Sequence, residues 1–454
     1  MKNIAPKLQA DQYERNFSDL HPPFTQNAAT TEALRCLYCY DSPCMKACPT
    51  HIDISTFIKK ISTGNLLGSA KTIYQSNWVP LTCAKACPVD VLCEGACVYN
   101  VKGEDPIQIG RLQRFVIENY FEKGMPTIFD KLPNNGKSVG IVGSGPAGLA
   151  CGAELALLGY VVTIYEANKI PGGLNTWGIA PYKMRREDSL KEVELVKSFG
   201  VDIKTEVMIG KTVKVDDLLK QHDAVFLGVG LGESPQLSIQ GEELSGVIGA
   251  LDFIEKVKTE NWKDVNVGKK VAVIGAGNTS IDAATEAKRL GAEQVYIIYR
   301  RSDVEMSAYE FEYQLAKKDG IVFHFLTSPK QIIGKDSVEG IECVKMKLEE
   351  PDIRGRRKPI PISGSEFTIN VDMVIKAIGQ ETKSNFLSSI PNVTLDEEGC
   401  VIVDQTSYQT TNPKIFAGGD CINGGKEVVN AAYDGKRAAQ GIHAFLSDQS
   451  KGEK

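Results

Sequence analysis

The chain has 454 residues, 42% hydrophobic and 24% charged, with a formal net charge of −5. That is enough apolar material for two or three cores without disulfide staples, and the mild negative charge argues against a nucleic acid or an anionic membrane as partner. The first residues, MKNIAPKLQADQYERNF, hold no apolar run, and no uncharged apolar stretch of about 18 residues occurs, so the expected compartment is the reducing cytoplasm, where disulfides are rare.

Residues 1–132 read as a loop-rich helical domain. Eight of the twelve cysteines lie between Cys36 and Cys97. RCLYCYDSPCMKACP supplies Cys36, Cys39, Cys44 and Cys48, followed by Pro49; TCAKACPVDVLCEGAC supplies Cys83, Cys87, Cys93 and Cys97, with Pro88 inside. Between the runs Ile54, Phe57 and Ile61 fall on one helical face, Ala70, Ile73 and Tyr74 belong to a second helix, and IGRLQRFVIENYFEKG forms a third. Structural zinc sites usually separate two short cysteine knuckles by a spacer. Here each run crowds four thiols beside a proline, as ferredoxin runs do. The reading is two [4Fe–4S] clusters, with spacing alone dividing the eight cysteines four and four.

DKLPNNGK is polar and turn-rich, and the domain boundary is placed there. The segment 133–233 opens as apolar strand, glycine turn, helix and strand. Gly143, Gly145 and Gly148 form G-x-G-x-x-G, with Pro146 and Ala147 opening the helix and Glu166 ending the next strand. The glycines allow a tight turn, close approach to a pyrophosphate and close helix packing, and the acid suits ribose hydroxyls. IPGGLNT follows, with Gly172, Gly173 and Leu174.

The segment 234–381 repeats the unit as KKVAVIGAGNTSIDAATEAKRLGAEQVYIIYRRS. Gly275, Ala276, Gly277, Asn278 and Thr279 form the turn, and Ser280 takes the third small position. Arg300 and Arg301 stand where an NAD-type acid would be. Guanidinium groups suit a 2′-phosphate, which favours NADP(H) and leaves NAD(H) open. Ala377, Ile378 and Gly379 end a later strand and could line the crevice. In 382–454, KIFAGGD places Gly419 and Asp420 at a strand end, ahead of a helix opening near Val428; the tail SDQSKGEK is expected to fray. Two such units imply doubly wound parallel sheets, an α/β fold with a discontinuous first nucleotide domain. Cys151, Cys343, Cys400 and Cys421 are scattered and read as small buried residues. The later chain has no C-x-x-C, which disfavours a disulfide reductase.

The glycine turn, PGGL and AGGD together resemble the two-part FAD signature of glutathione-reductase-like flavoproteins. Over nearly its whole length the chain also resembles the N-terminal half of dihydropyrimidine dehydrogenase, and the separate flavoprotein subunit of the bacterial enzyme. The motifs are RCLYCYDSPCMKACPTHIDISTFI, LTCAKACPVDVLCEGAC, PIQIGRLQRF, GSGPAG, PGGL, GAGNTSID and AGGD. The glutamate synthase small subunit and the bifurcating ferredoxin:NADP oxidoreductase large subunit share the architecture. The resemblance implies interleaved clusters: Cys36, Cys39, Cys44 and Cys93 for one, Cys48, Cys87, Cys97 and Gln113 for the other, with Cys83 spare. It implies FAD contacts at Ala86, Gly173, Leu174, Gly419, Asp420 and Val428. Lys183 stands where the family has an arginine, and Ser307 where it has a further basic residue. The implied function is an electron-input subunit: NAD(P)H reduces FAD, and electrons leave through two clusters to an FMN/iron–sulfur partner that reduces uracil or thymine, in a hetero-oligomer. A glutamate synthase small subunit or a bifurcating ferredoxin:NADP oxidoreductase large subunit is the alternative enzyme, and a redox sensor the non-enzyme one.

Overall fold

The structure, a computed structural model, describes residues 3–352 and 355–452. It divides into two compact units: His21–Thr176, Lys183–Gly232 and Thr382–Lys454 in one, and Met1–Leu20, Trp177–Tyr182 and Glu233–Glu381 in the other. No helix among the described residues is long and apolar enough to cross a membrane.

The first unit holds every cysteine of the two runs. Its Ile54–Ser62 helix buries Ile54, Phe57, Ile58 and Ile61, and Asp53 caps it by accepting from the Thr56 N–H at 3.1 Å. The Leu66–Tyr74 and Ile109–Glu122 helices complete the helical layer. Beside it lies a parallel sheet of β1 (Ser138–Val142), β2 (Val161–Tyr165), β3 (Asp202–Lys204), β4 (Ala224–Leu227) and, from the far end of the chain, β14 (Ile415–Ala417), in the order β14-β4-β1-β2-β3. The apolar core runs without a break from Phe57, Ile73 and Trp78 to Leu149, Ile164 and Phe416. Trp78 ties the two layers together by donating its indole N–H to Glu154 at 2.8 Å. The turn-rich segment before β1, read as a domain boundary, therefore crosses the outside of one shared core.

The second unit carries the parallel sheet β5-β13-β6-β7-β8, from β5 (Val247–Gly249), β6 (Lys270–Ile274), β7 (Gln294–Ile298), β8 (Val322–His324) and β13 (Met373–Lys376). An antiparallel layer that the sequence reading lacked is inserted between β8 and β13. It comprises β9 (Thr327–Gly334), β10 (Val338–Pro351), β11 (Arg357–Pro361) and β12 (Phe367–Ile369), with β10 pairing all three others. Residues before His21, assigned by sequence to the cysteine domain, belong here. Ala5 donates its N–H to Val267 O, and Phe17 stacks on Trp262 at 4.6 Å. The final helix, Val428–Gly452, runs through most of the tail expected to fray, and residues 453–454 lie outside the described residues.

Candidate redox and nucleotide sites

Short helices place the thiols. Cys36 ends the Gln26–Arg35 helix, Cys44 lies in Pro43–Ala47, and Cys97 caps Val98–Val101. These three and Cys39 line one cavity, with Ile54, Ile58 and Ile109 around them. Burial, then Cys36, Cys97 and Cys39 as negative neighbours, pushes the Cys44 thiol up to about 12; burial with the same neighbours raises Cys36. Thiolates gathered in an apolar pocket repel one another, so the pocket suits a cationic centre that takes thiolate ligands.

The second set comprises Cys48, Cys83, Cys87 and Cys93. Cys83 hydrogen-bonds the Cys87 thiol and raises it, with burial, Cys93 and Cys48 adding to the shift. Cys93 is raised by burial, then by Glu94 and Cys48. Cys97 lines the cavity of Cys36, Cys39 and Cys44, while Cys93 lies near Cys48 and also near Cys44. Cys93 turns back toward Cys48 and Cys87 after the tight turn Val89–Val91. Cys83, the expected spare thiol, sits against Cys87. Gln113 is buried, and its Nε2 donates to Pro80 O at 2.7 Å, one turn before Cys83 on the Pro80–Ala86 helix. That bond orients the amide and leaves Oε1 as the atom available to a metal. Among the described residues no three Cys, His, Asp or Glu side chains form a single-ion site. Thiols spread around a cavity suit a polynuclear cluster.

Two buried carboxylates brace these helices. Glu192 accepts from the N–H groups of Leu81 (2.6 Å) and Thr82 (3.1 Å) and from the Thr82 hydroxyl, at the start of the Cys83 helix. Burial pushes it up to about 8 against the pull of those donors. Glu94 accepts from Gly110 N–H at 2.9 Å, at the start of the Gln113 helix, and burial pushes it up to about 7.

At the first glycine turn, Gly143 has φ +98°, and a Cβ there would lie 2.4 Å from Gly228 O. A Cβ on Gly173 would lie 2.7 Å from the Gly145 Cα, so the two glycine loops meet backbone to backbone. Gly145 caps Pro146–Leu157, presenting the first N–H groups of that helix. Ser144, which the sequence reading passed over, joins the parts: it donates its N–H and hydroxyl to Glu166 at 3.0 and 2.6 Å, and its Oγ accepts from Gly172 N–H at 3.0 Å. Glu166 also accepts from Asn168 N–H. It therefore locks the turn besides ending β2 as expected. Gly419 donates its N–H to Asp434 at 3.1 Å, another residue the sequence did not flag, and Asp420 opens the short helix Asp420–Asn423. Burial raises Asp420, while the Lys426 N–H bond opposes this. Val428 opens the last helix, Leu174 begins the Leu174–Trp177 helix, Ala86 ends the Cys83 helix, and Lys183 is half-buried. The glycine cradles fit a dinucleotide.

The second turn is built the same way. Gly275 has φ +121°, with a Cβ position 2.1 Å from Ala377 O, and Ser280 donates its hydroxyl to that carbonyl. Gly277 caps Asn278–Arg289. Ala276 O accepts from Ala308 N–H, and Asn278 Oδ1 accepts from Tyr309 N–H. Thr279 is exposed; Ile378 and Gly379 follow Ala377, partly exposed. Arg300 and Arg301 line an open cleft together with Glu305, Gly355, Arg356 and Arg357. Cys151, Cys343, Cys400 and Cys421 are all buried.

A family model described as dihydropyrimidine dehydrogenase domain II, 4Fe-4S cluster, matches residues 13–125, and one described as pyridine nucleotide-disulphide oxidoreductase matches residues 137–435. The glutamate synthase [NADPH] small chain of Escherichia coli K12 is 34% identical over 95% of this chain and 94% of its own. The NADPH-Fe(3+) oxidoreductase subunit beta of Geobacter sulfurreducens is 34% identical over 90% of this chain and 64% of its own. FprA of Mycobacterium tuberculosis, solved in complex with NADPH, shares the fold at TM-score 0.58 and 20% identity, over 71% of this chain and 86% of that one. The protein is a flavoprotein oxidoreductase with an iron–sulfur domain and nucleotide-binding α/β folds for FAD and NAD(P). By these matches the chain belongs to the pyridine nucleotide-disulphide oxidoreductase family, in the group that carries a 4Fe-4S domain ahead of the nucleotide-binding folds and includes the glutamate synthase small chain.

Proposed function

We propose that the protein is the electron-input subunit of a larger oxidoreductase, oxidising NAD(P)H and delivering the electrons to a partner subunit. The observation that carries this reading is the shared core: both thiol sets and the FAD-type turn lie in one compact unit. FAD, when bound, supplies the exchange between hydride pairs and single electrons, and 4Fe-4S groups supply single-electron carriers. The chain's own residues do the holding. Cys36, Cys39, Cys44 and Cys97 would hold one cluster. Cys48, Cys87 and Cys93 would hold a second, with its fourth ligand drawn from Cys83 or Gln113. The N-termini of the helices after Gly145 and Gly277 would hold the pyrophosphates, and Asp420 would lie on the flavin side.

Two partner chemistries are in play. Matches to glutamate synthase small chains over 94–96% of their length favour a partner that converts 2-oxoglutarate and glutamine to glutamate. The buried Gln113 and the description of the cysteine-domain family favour a pyrimidine-reducing FMN/iron–sulfur partner. The protein and its partner, purified together without oxygen, should oxidise NAD(P)H on addition of one substrate set and not the other. Uracil-dependent oxidation selects the pyrimidine reading, and oxidation dependent on 2-oxoglutarate plus glutamine selects the other. If NAD(P)H fails to bleach the bound flavin, the electron-input reading itself is wrong, and a redox sensor replaces it.

A further inference from the structure

We propose that Arg356 and Arg357, at the tip of the β10–β11 hairpin, form the second jaw of a phosphate clamp whose first jaw is Arg300 and Arg301, and that this clamp grips the 2′-phosphate of NADP(H). The proposal rests on the reading of the second glycine turn as the nicotinamide-coenzyme site.

Among the described residues the cleft is lined by four guanidinium groups from two separate elements and one carboxylate, Glu305. Guanidinium groups stay charged at any physiological pH. Glu305 is largely engaged: its Oε2 accepts from the N–H and hydroxyl of Ser302, and its Oε1 lies 3.9 Å from Arg357. The hairpin is tied to the first jaw, since Arg301 Nε donates to Arg357 O at 3.3 Å. An excess of cations gathered by two elements in one open cleft fits a compact dianion, and arginine forks match phosphate oxygens two at a time.

Position says which dianion. β6 and β7 run parallel, with Ile274 opposite Ile298. Gly275 is one residue past the end of β6, and Arg300 two past the end of β7. The segment after Arg301 folds back on the glycine turn: Ala308 N–H bonds Ala276 O, and Ser307 Oγ lies 3.3 Å from the Cβ position of Gly277. The cleft is therefore at the strand-end edge where the adenosine ribose of a dinucleotide docks. Arg357 also ties the hairpin by donating Nε to Glu349 O at 3.2 Å, and both arginine side chains stay exposed at the cleft. Across a ribose 2′-position, the pair separates NADP(H) from NAD(H).

The test uses the full chain with flavin and clusters in place, titrated with NADP⁺, NAD⁺, 2′,5′-ADP and 5′-AMP. Two double variants are compared, Arg356→Gln with Arg357→Gln, and Arg300→Gln with Arg301→Gln. The hairpin variant should bind NADP⁺ and 2′,5′-ADP at least about ten-fold more weakly and shift NAD⁺ and 5′-AMP by less than about three-fold, as expected when charged hydrogen bonds to one phosphate are lost. Its NADP⁺ affinity should also fall less steeply with salt than the wild type's. If the hairpin variant binds NADP⁺ like the wild type while the Arg300/Arg301 variant loses it, the second jaw is refuted and the phosphate reading survives. If both coenzymes weaken equally in the hairpin variant, the hairpin does not read the phosphate. If the wild type binds NAD⁺ as well as NADP⁺ and neither variant changes the ratio, the clamp and the NADP reading fall together.

Discussion

Glu192 shows how one buried side chain links the flavin half to the cysteine helices. It takes two backbone N–H groups and a hydroxyl at the start of the helix that carries Cys83. Its pKa is raised from 4.5 to about 8 by burial. Between those values the native state keeps a proton that the unfolded chain has lost. The stabilisation is thus complete below 4.5 and is lost as pH rises toward 8. Glu192→Gln keeps the acceptor for both N–H groups and removes the titration. The variant should gain on the wild type as pH rises from 5.5 to 8.5, with a limiting slope of about 1.4 kcal/mol per pH unit. Parallel melting-temperature curves for the two proteins would refute the assignment. Glu192→Ala orphans the donors and should cost about 2–5 kcal/mol. The fourth ligand of the second cluster is decided at the same scale. On the proposed two-cluster reading, if Cys83 holds iron, Cys83→Ser should lower iron content from about eight toward four or seven per chain while Gln113→Leu leaves it intact; if Gln113 is the ligand, the results exchange. Iron analysis with low-temperature EPR of both variants decides it. Spacing shows which residue types meet but not which thiol faces which set, because that depends on how the short irregular segment between Leu92 and the Val98–Val101 helix folds. No motif marks Ser144 or Asp434 either, since their roles depend on which loops the fold brings to them.

At the scale of elements, the periodic helices were legible because each buries one face, and both strand–turn–helix units because their strands are continuous apolar runs that end in glycine turns. The N-terminal segment was not. Among the described residues its helix is Ala10–Asn16, too short to declare a face, and its apolar anchors Tyr13 and Phe17 find Trp262 about 250 residues later. Phe17 is fully buried. Asn16 adds a hydrogen bond to Arg289 O at 2.8 Å, and Lys7 one to Val265 O at 2.8 Å. Phe17→Ala should therefore destabilise the nucleotide-coenzyme unit by about 3–5 kcal/mol. Calorimetry with and without NADP⁺ reads this directly: the transition that the coenzyme raises should move down, and the flavin-release transition should stay. A drop in the flavin transition alone would place the segment with the cysteine unit after all. The antiparallel layer β9–β12 escaped notice for a different reason. Its strands are half-exposed, with mixed polar and apolar alternation, so nothing in their pattern sets them apart from loop.

Over the whole molecule, the flavin half is closed by segments that lie nearly 300 residues apart in the chain. β14 completes the sheet that β1 begins, and the last helix crosses Pro146–Leu157 so closely that a Cβ on Gly435 would sit 2.0 Å from Ala147 O. Ala147 opens the helix behind the glycine turn, and Asp434, the neighbour of Gly435, holds the Gly419 N–H and the Tyr408 hydroxyl. One helix crossing thus sets both ends of the FAD site. Gly435→Val should force the helices apart and misplace the glycine turn and Gly419 together. The expected result is a flavin-to-protein ratio below about one fifth of wild type, because backbone cannot yield as a flexible side chain would. Gly275, Arg300 and the rest of the coenzyme site belong to the other unit, so affinity for NADP⁺ should stay within about three-fold, and iron content should hold because the two cysteine runs lie on elements other than the two crossing helices. Electron delivery to the partner should nevertheless stop, since the clusters would have no flavin upstream of them. Full flavin occupancy in Gly435→Val would show that the crossing tolerates a side chain, and the dependence of the FAD site on this contact would be wrong. Loss of NADP⁺ binding along with the flavin would instead mean that the two units do not fold independently.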